Sequence, residues 1–308
     1  LIPFTIFLIP AFIASFYGLT SLFFFIFKTK KIISSFFVFS IVFGILEYIR
    51  GNIFTGFPWN LIAYSFSDQL SIISVISLFG TYGFNLFCIS LFTSPALIFL
   101  KKSKKTIIFL ISFLTIFIFF HFYGLNYKDE FYKLENKTYD YKIRVIGSNI
   151  NLDKFYEQVD PELVISDLIN LSSPEKDQKT IFIWPEGILP VISQKKLIHY
   201  DWLFRENFSK NHFLIIGINS QIEKNGSDIF FNSLSLYDHE LNLVSSYNKI
   251  NLVPFGEFLP FESILKKIGL RSITNNYQSF SKGKKRNIID IHKEEFSLKI
   301  LPLICYEI

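Results

Sequence analysis

The sequence predicts a bundle of about four membrane-spanning helices followed by a mixed α/β domain. Three observations carry that prediction. Half of the 308 residues are hydrophobic and 39 are Phe, more apolar side chain than a soluble domain of this size needs. The long apolar stretches crowd into the first 124 residues, and from residue 125 onward charges become frequent and apolar runs shorten to strand length. The net charge of +5 sits largely in two short clusters, Lys28, Lys30 and Lys31, then Lys101, Lys102, Lys104 and Lys105. Outside these seven lysines acidic residues slightly outnumber basic ones, so the basic balance gives no reason to expect a nucleic-acid partner.

The apolar stretches cover roughly 1–27, 32–49, 70–100 and 106–124. Each approaches or exceeds the ~20 residues a helix needs to cross the hydrocarbon core. The first has no basic leader and no small-residue cleavage site, so it reads as a span rather than a signal peptide. Glu47 lies one turn before Arg50 in the second, and the two can pair near the interface. Positive residues favour the cytoplasmic side. Both lysine clusters fall on one side if two crossings separate them, which sends loop 50–69 and everything after the fourth span to the other side. The chain begins at Leu1 without Met and stops soon after a strand-like run, so a piece of a longer protein, cut at both ends, is expected. The expected domains are 1–124 in the membrane and 125–308 outside the cytoplasm.

In the second half, Tyr141–Ile150 reads as a strand, Asp153–Leu171 carries a helical period and Thr180–Trp184 is a short buried-strand run. Gln194–Phe208 is helical again, and an apolar strand follows at His212–Ile218. Asn232–Tyr237 alternates, with Leu243–Tyr247 as its hairpin partner. Arg286–Ile291 and Phe296–Ile304 look like two more strands. Strands alternating with helices and then following one another suggest a mixed sheet covered by helices. The two cysteines, Cys88 in an apolar run and Cys305 in the polar half, are not expected to pair, and no Cys/His spacing suggests a metal.

Three short strings each follow a strand-like run: Ile183-Trp184-Pro185-Glu186-Gly187, Tyr247-Asn248-Lys249 with Leu252-Val253-Pro254-Phe255-Gly256-Glu257, and Leu303-Ile304-Cys305-Tyr306-Glu307. In open α/β sheets functional groups gather beyond the carboxyl ends of strands. A carboxylate, an ammonium and a thiol delivered there suit acyl transfer. Glu186 would take the thiol proton, Lys249 would favour the thiolate and the oxyanion, and Cys305 would carry the acyl group, with no metal or diffusible cofactor. Taken singly, each has an ordinary reading: a loop carboxylate or helix cap, a surface lysine, a small core thiol. An unpaired Cys facing an oxidising compartment is the least ordinary of the three.

In this order the strings resemble the Glu-Lys-Cys triad of the nitrilase (carbon–nitrogen hydrolase) superfamily. Arg50-Gly51 with Phe54-Thr55-Gly56-Phe57-Pro58-Trp59 upstream, and Leu252 to Pro260, resemble its apolipoprotein N-acyltransferase branch. The resemblance implies an α-β-β-α sandwich, incomplete here, on a bundle of transmembrane helices in the bacterial inner membrane, with the catalytic domain in the periplasm. It implies a phospholipid acyl donor and a diacylglyceryl-cysteine apolipoprotein acceptor, joined through an acyl-Cys intermediate. It makes Glu186 the base, Lys249 the oxyanion stabiliser and Cys305 the nucleophile, with Glu257, Tyr306 and Glu307 in support.

Acyl chains leave the bilayer at a cost of about 0.8 kcal/mol per exposed CH₂, so such a thiol has to work at the membrane surface. Aromatic residues in loop 51–69 and in segment 255–270 suit an acyl-chain entrance or lid, and equally suit packing between domain and helices. Two other readings stay open: a membrane-tethered amidase in which water resolves the thioester, and a membrane scaffold with a degenerate domain.

Overall fold

The computed structural model describes all residues except 1, 54–57, 136–137, 148–159, 190–191, 225, 255, 268–278, 294–295, 306 and 308. The chain forms two compact units, 1–137 and 138–308.

The first unit holds four helical stretches long and apolar enough to cross a membrane, with mean hydropathy between 1.7 and 2.2. α1 (Ile2–Phe27) and α2 (Ile32–Asn52) match their expected spans. The third is broken into α3 (Leu70–Ile73), α4 (Ile76–Thr93) and α5 (Ala96–Leu100). Phe79 and Gly80 leave helical geometry inside α4, Gly80 at φ +74°, and Pro95 caps α5. Glycine is the residue that reaches positive φ without a Cβ penalty, so the break has a local cause. α6 (Lys104–Glu135) runs past the apolar stretch that ends at 124, into residues with charges. Phe7, Phe25, Phe99 and Phe119 stay exposed, as suits helices whose outer faces meet lipid rather than water. The interior packs Ala63, Val75, Phe84, Cys88 and Phe120 together.

Within this unit Arg50 and Glu47 are 1% and 2% exposed. Two parallel bonds join them, Nε to Oε1 at 3.1 Å and Nη2 to Oε2 at 3.0 Å. The Arg50 Nη1 also donates to the Trp59 carbonyl at 2.8 Å. The pairing expected from sequence is therefore present, and the bond to Trp59 fastens the following loop to the helix end.

The second unit is built on a five-stranded sheet in the order β1-β2-β3-β4-β5. Its strands are β1 (Lys142–Val145), β2 (Thr180–Trp184), β3 (His212–Lys224), β4 (Ser227–Asp238) and β5 (Leu243–Asn248). β1, β2 and β3 run parallel; β3–β4 and β4–β5 are antiparallel hairpins. β2 and β5 therefore point the same way and end at the same edge of the sheet. On one face lie α7 (Pro161–Ser172), α8 (Gln194–Leu197) and α9 (Asp201–Asn207). α7 starts with Asp160 accepting from the Glu162 amide at 3.0 Å and Pro161 in the first turn, a favourable N-terminus. It buries Ile165, Leu168, Ile169 and Ser172, one helical face at the 3.6-residue period. The Ser172 hydroxyl accepts from the buried Trp184 indole at 2.9 Å, tying helix to sheet.

A hairpin of β6 (Ile289–Lys293) and β7 (Phe296–Ile300) covers the other face. Ile289 and Ile291 pack there against Ile181, Phe213, Ile215 and Leu236. Helices, sheet and second sheet thus stack as three successive layers of the expected α-β-β-α arrangement. β6 starts three residues later than the sequence suggests and β7 ends at Ile300 rather than 304, because Leu301–Ile304 leave the ladder to reach Cys305.

Candidate functional site

The parallel course of β2 and β5 brings Glu186 and Lys249 together. After β2 the chain turns at Pro185-Glu186-Gly187-Ile188, with the Ile188 amide on the Pro185 carbonyl at 3.4 Å and Gly187 at φ +76°. Positive φ at the third residue of a tight turn selects Gly, which explains why Gly follows Glu186. Beside it runs β3 at Gly217, where a Cβ would come within 2.6 Å of the Glu186 amide nitrogen. Only a residue without a side chain lets the Glu186 turn lie this close.

Lys249 follows β5 directly. Its amide donates to the Asn232 carbonyl at 2.9 Å, and the preceding Asn248 accepts from Ser233 at 2.7 Å and Ser220 at 3.3 Å. Its ammonium is 1% exposed and reaches Glu186 Oε1 at 3.3 Å and Glu257 Oε2 at 3.0 Å. Burial pulls the Lys249 pKa down, but the Glu186 and Glu257 carboxylates outweigh it and the net shift is upward. Lys249 is thus a firm cation at neutral pH.

Glu257 is oriented in turn by its own loop. Its Oε2 accepts from the Val253 amide at 2.7 Å while its amide donates to the Val253 carbonyl at 2.8 Å. Asn232, on β4, donates its side-chain amide to both Glu186 Oε1 and Glu257 Oε1. Two carboxylates therefore share one ammonium and one amide. The side chain of Glu186 remains 37% exposed against 11% for Glu257, so Glu186 is the acid a reactant can reach.

Cys305 is exposed and sits at φ +56°, in the left-handed region that non-glycine residues seldom occupy. Glu307 fixes this turn. Its carboxylate accepts from the Ile250 and Asn251 amides at 2.8 and 3.0 Å, from the Tyr247 hydroxyl at 2.9 Å and from the Ile304 amide at 3.1 Å. Arg286 Nη2 adds an ion pair at 3.2 Å. Burial would raise the Glu307 pKa, but these donors prevail and hold it below the usual carboxylate range. Because Ile250 and Asn251 follow Lys249 and Ile304 precedes Cys305, one carboxylate ties the segment bearing the ammonium to the segment bearing the thiol.

Of the residues singled out from sequence, Glu186, Lys249 and Glu257 form one cluster, and Glu307 anchors the Cys305 turn to it. Tyr306 lies outside the described residues, as do Phe54, Phe57 and Phe255 and the Leu265 side chain of the aromatic and apolar segments considered as lids. In those segments Trp59 is 57% exposed, Phe261 60% and Ile264 53%, whereas Phe66 is buried. Sequence reasoning missed Asn232 and Arg286. Asn is depleted in strands, so an Asn in the alternating run 232–237 was the available signal. Arg286, expected to begin a strand, lies before it.

The first 94 residues match a family model described as the apolipoprotein N-acyltransferase N-terminal domain. Curated proteins named apolipoprotein N-acyltransferase align along nearly the whole chain. One from Rickettsia prowazekii is 31% identical over 99% of this chain and 59% of its own length. One from Brucella melitensis is 26% identical over 99% of this chain and 57% of its own length, and one from Rhodopseudomonas palustris is 27% identical over 85% and 50%. The chain thus spans between half and three-fifths of the length of these relatives.

Proposed function

We propose that the protein, which is similar along nearly its whole length to proteins named apolipoprotein N-acyltransferase, transfers an acyl chain from a phospholipid, through a thioester on Cys305, to the N-terminal amine of a diacylglyceryl-cysteine apolipoprotein. The observation that carries this reading is the Glu186–Lys249–Glu257 cluster, tied through Glu307 to the turn of Cys305.

The chemistry runs in two halves. Glu186 takes the thiol proton as the sulfur attacks the donor ester carbonyl. The Lys249 ammonium, held as a cation by its two carboxylates, stabilises the oxyanion of the tetrahedral intermediate. Collapse expels the lysophospholipid alcohol, which takes the proton back from Glu186, and leaves the acyl group on sulfur. The acceptor amine then attacks the thioester and gives its proton to Glu186. The second collapse forms the amide and returns sulfur and proton to the starting state. Glu257 and Asn232 orient Lys249 and Glu186 throughout and neither gains nor loses a proton. Lys249 leaves Glu186 as the base, because an ammonium with a raised pKa accepts no proton at neutral pH.

The lysine clusters at 28–31 and 101–105 support an inner-membrane protein with both clusters in the cytoplasm. With spans α2 and α4–α5 between the clusters and α6 after them, residues 138–308 then face the periplasm. The test uses the full-length protein with labelled phospholipid and a diacylated lipopeptide. A labelled triacyl product is expected. Release of free fatty acid with no lipopeptide product would instead identify a hydrolase.

A further inference from the structure

One end of the helical unit joins an apolar cavity to a concentration of positive charge. The cavity, about 280 Å³, lies between the end of α1, the start of α2 and the α4–α5 break, and its walls include Phe24, Ile32, Ser35, Thr93, Ala96, Leu97 and Leu100. Its two hydroxyls are turned to backbone: Ser35 Oγ donates to the Thr29 carbonyl at 2.7 Å and Thr93 Oγ1 to the Ile89 carbonyl at 2.6 Å. A cavity without free polar partners suits hydrocarbon rather than water.

Both lysine clusters are built onto the wall of this cavity. Lys31 precedes Ile32, and Lys101 follows Leu100. The Thr29 amide donates to Ser35 Oγ at 2.9 Å, and the Lys101 amide to the Leu97 carbonyl at 3.0 Å. Lys28, Lys30, Lys31, Lys101, Lys102, Lys104 and Lys105 are all exposed. No Asp or Glu occurs in residues 1–46 or 69–128. Glu47 lies toward the far end of α2, ~22 Å along the helix axis from Ile32.

We infer that this end of the unit is a binding site for one anionic phospholipid, with an acyl chain in the cavity and the phosphate on the lysines of both loops. Positive charge at the end of a span serves orientation by itself, but orientation asks for no cavity behind it. A further helix does not fit inside, since one turn about 10 Å across and about 5.4 Å high needs more room. A single acyl chain is thin and flexible enough to enter. Seven like charges gathered at one membrane surface repel one another. A bound phosphate relieves that repulsion, and lysine is a compact point charge suited to it. The chain meanwhile supplies the contacts that the cavity walls lack. Basic pockets between membrane helices take anionic head groups on these grounds.

The test exchanges the full-length protein into detergent micelles containing equal amounts of phosphatidylglycerol and phosphatidylcholine with identical acyl chains, and counts retained lipid by native mass spectrometry. One phosphatidylglycerol per protein is expected, favoured over phosphatidylcholine by about tenfold at low salt and by less at high salt. Ala96→Phe, which fills the cavity and leaves every lysine in place, should lose that lipid. Lys30→Gln/Lys31→Gln should lower the preference several-fold, and Lys30→Arg/Lys31→Arg should keep it. An intact protein that retains the two lipids equally overturns the site, and this comparison needs no variant to fold. An Ala96→Phe protein of unchanged melting temperature that still retains one phosphatidylglycerol overturns it as well, because the lysines would then draw lipid without the cavity.

Discussion

Two buried cations, Arg50 and Lys249, are paired in very different ways. In the membrane unit, Arg50 and Glu47 lie one turn apart on α2, both almost fully buried, with the guanidinium fork matched bidentately to the carboxylate. Charge balances one to one and little is left to offer a reactant. In the second unit, Lys249 meets Glu186 from the end of β2 and Glu257 from its own loop, with Asn232 of β4 between them. There charge does not balance, and one carboxylate stays open to solvent. A closed, local pair holds structure together. An open, over-supplied one holds a proton acceptor beside a cation, which is what acid–base chemistry needs.

The largest expected difference lies in rate. Glu186→Gln should slow acyl-Cys305 formation by about 10²–10⁴-fold, the usual worth of a positioned general base, with the melting temperature nearly unchanged. Glu47→Gln should do the reverse. Taking the carboxylate from the buried Arg50 should destabilise the membrane unit by about 3 kcal/mol, read as a lowered unfolding temperature in detergent, while acylation per folded molecule holds. If both substitutions altered rate and stability alike, the division between the two pairs would fail. Gly217→Ala sharpens the point. Its Cβ would press on the Glu186 backbone, so a cost of about 1–3 kcal/mol is expected, with a loss of rate beyond the loss of folded protein.

The smallest effect is in pH dependence. The Glu307 pKa is lowered in the folded protein, so its contribution to stability is fully present above the unfolded carboxylate value of about 4.3. It is lost as pH falls through the lower folded value. Glu307→Gln should therefore flatten the acid limb of a stability–pH profile. A limb of unchanged steepness would show that the charge of Glu307 is not what ties the Cys305 turn down.

The same contrast explains what could be read from sequence. Glu47 and Arg50 share a helix turn, so their pairing follows from spacing alone. Glu186, Lys249 and Cys305 were recognisable because each follows a strand-like run in a distinctive string. The meeting of Glu186 and Lys249 depends on β2 and β5 ending at the same edge, and the expected β4–β5 hairpin supplies half of that. Asn232 was hidden because its partners lie 46 and 25 residues away, and only the register of β4 against β3 and β5 brings it to them. The broken third span was partly legible in Gly80 and Pro95. The run of α6 to Glu135 was not, since amphipathic turns beyond an apolar core resemble the start of a soluble domain. Arg286 resembles the start of a strand, because it precedes an apolar run whose ladder begins only at Ile289.

The central claim is that the thiol of residue 305 becomes acylated beside the Glu186–Lys249 pair. Intact-mass analysis of the full-length protein after incubation with phospholipid alone tests it most directly. An acyl adduct that hydroxylamine removes, mapped to Cys305 and missing from Cys305→Ala, is the predicted result. An adduct that persists in Cys305→Ala, or an intact enzyme that never acquires one, would contradict it.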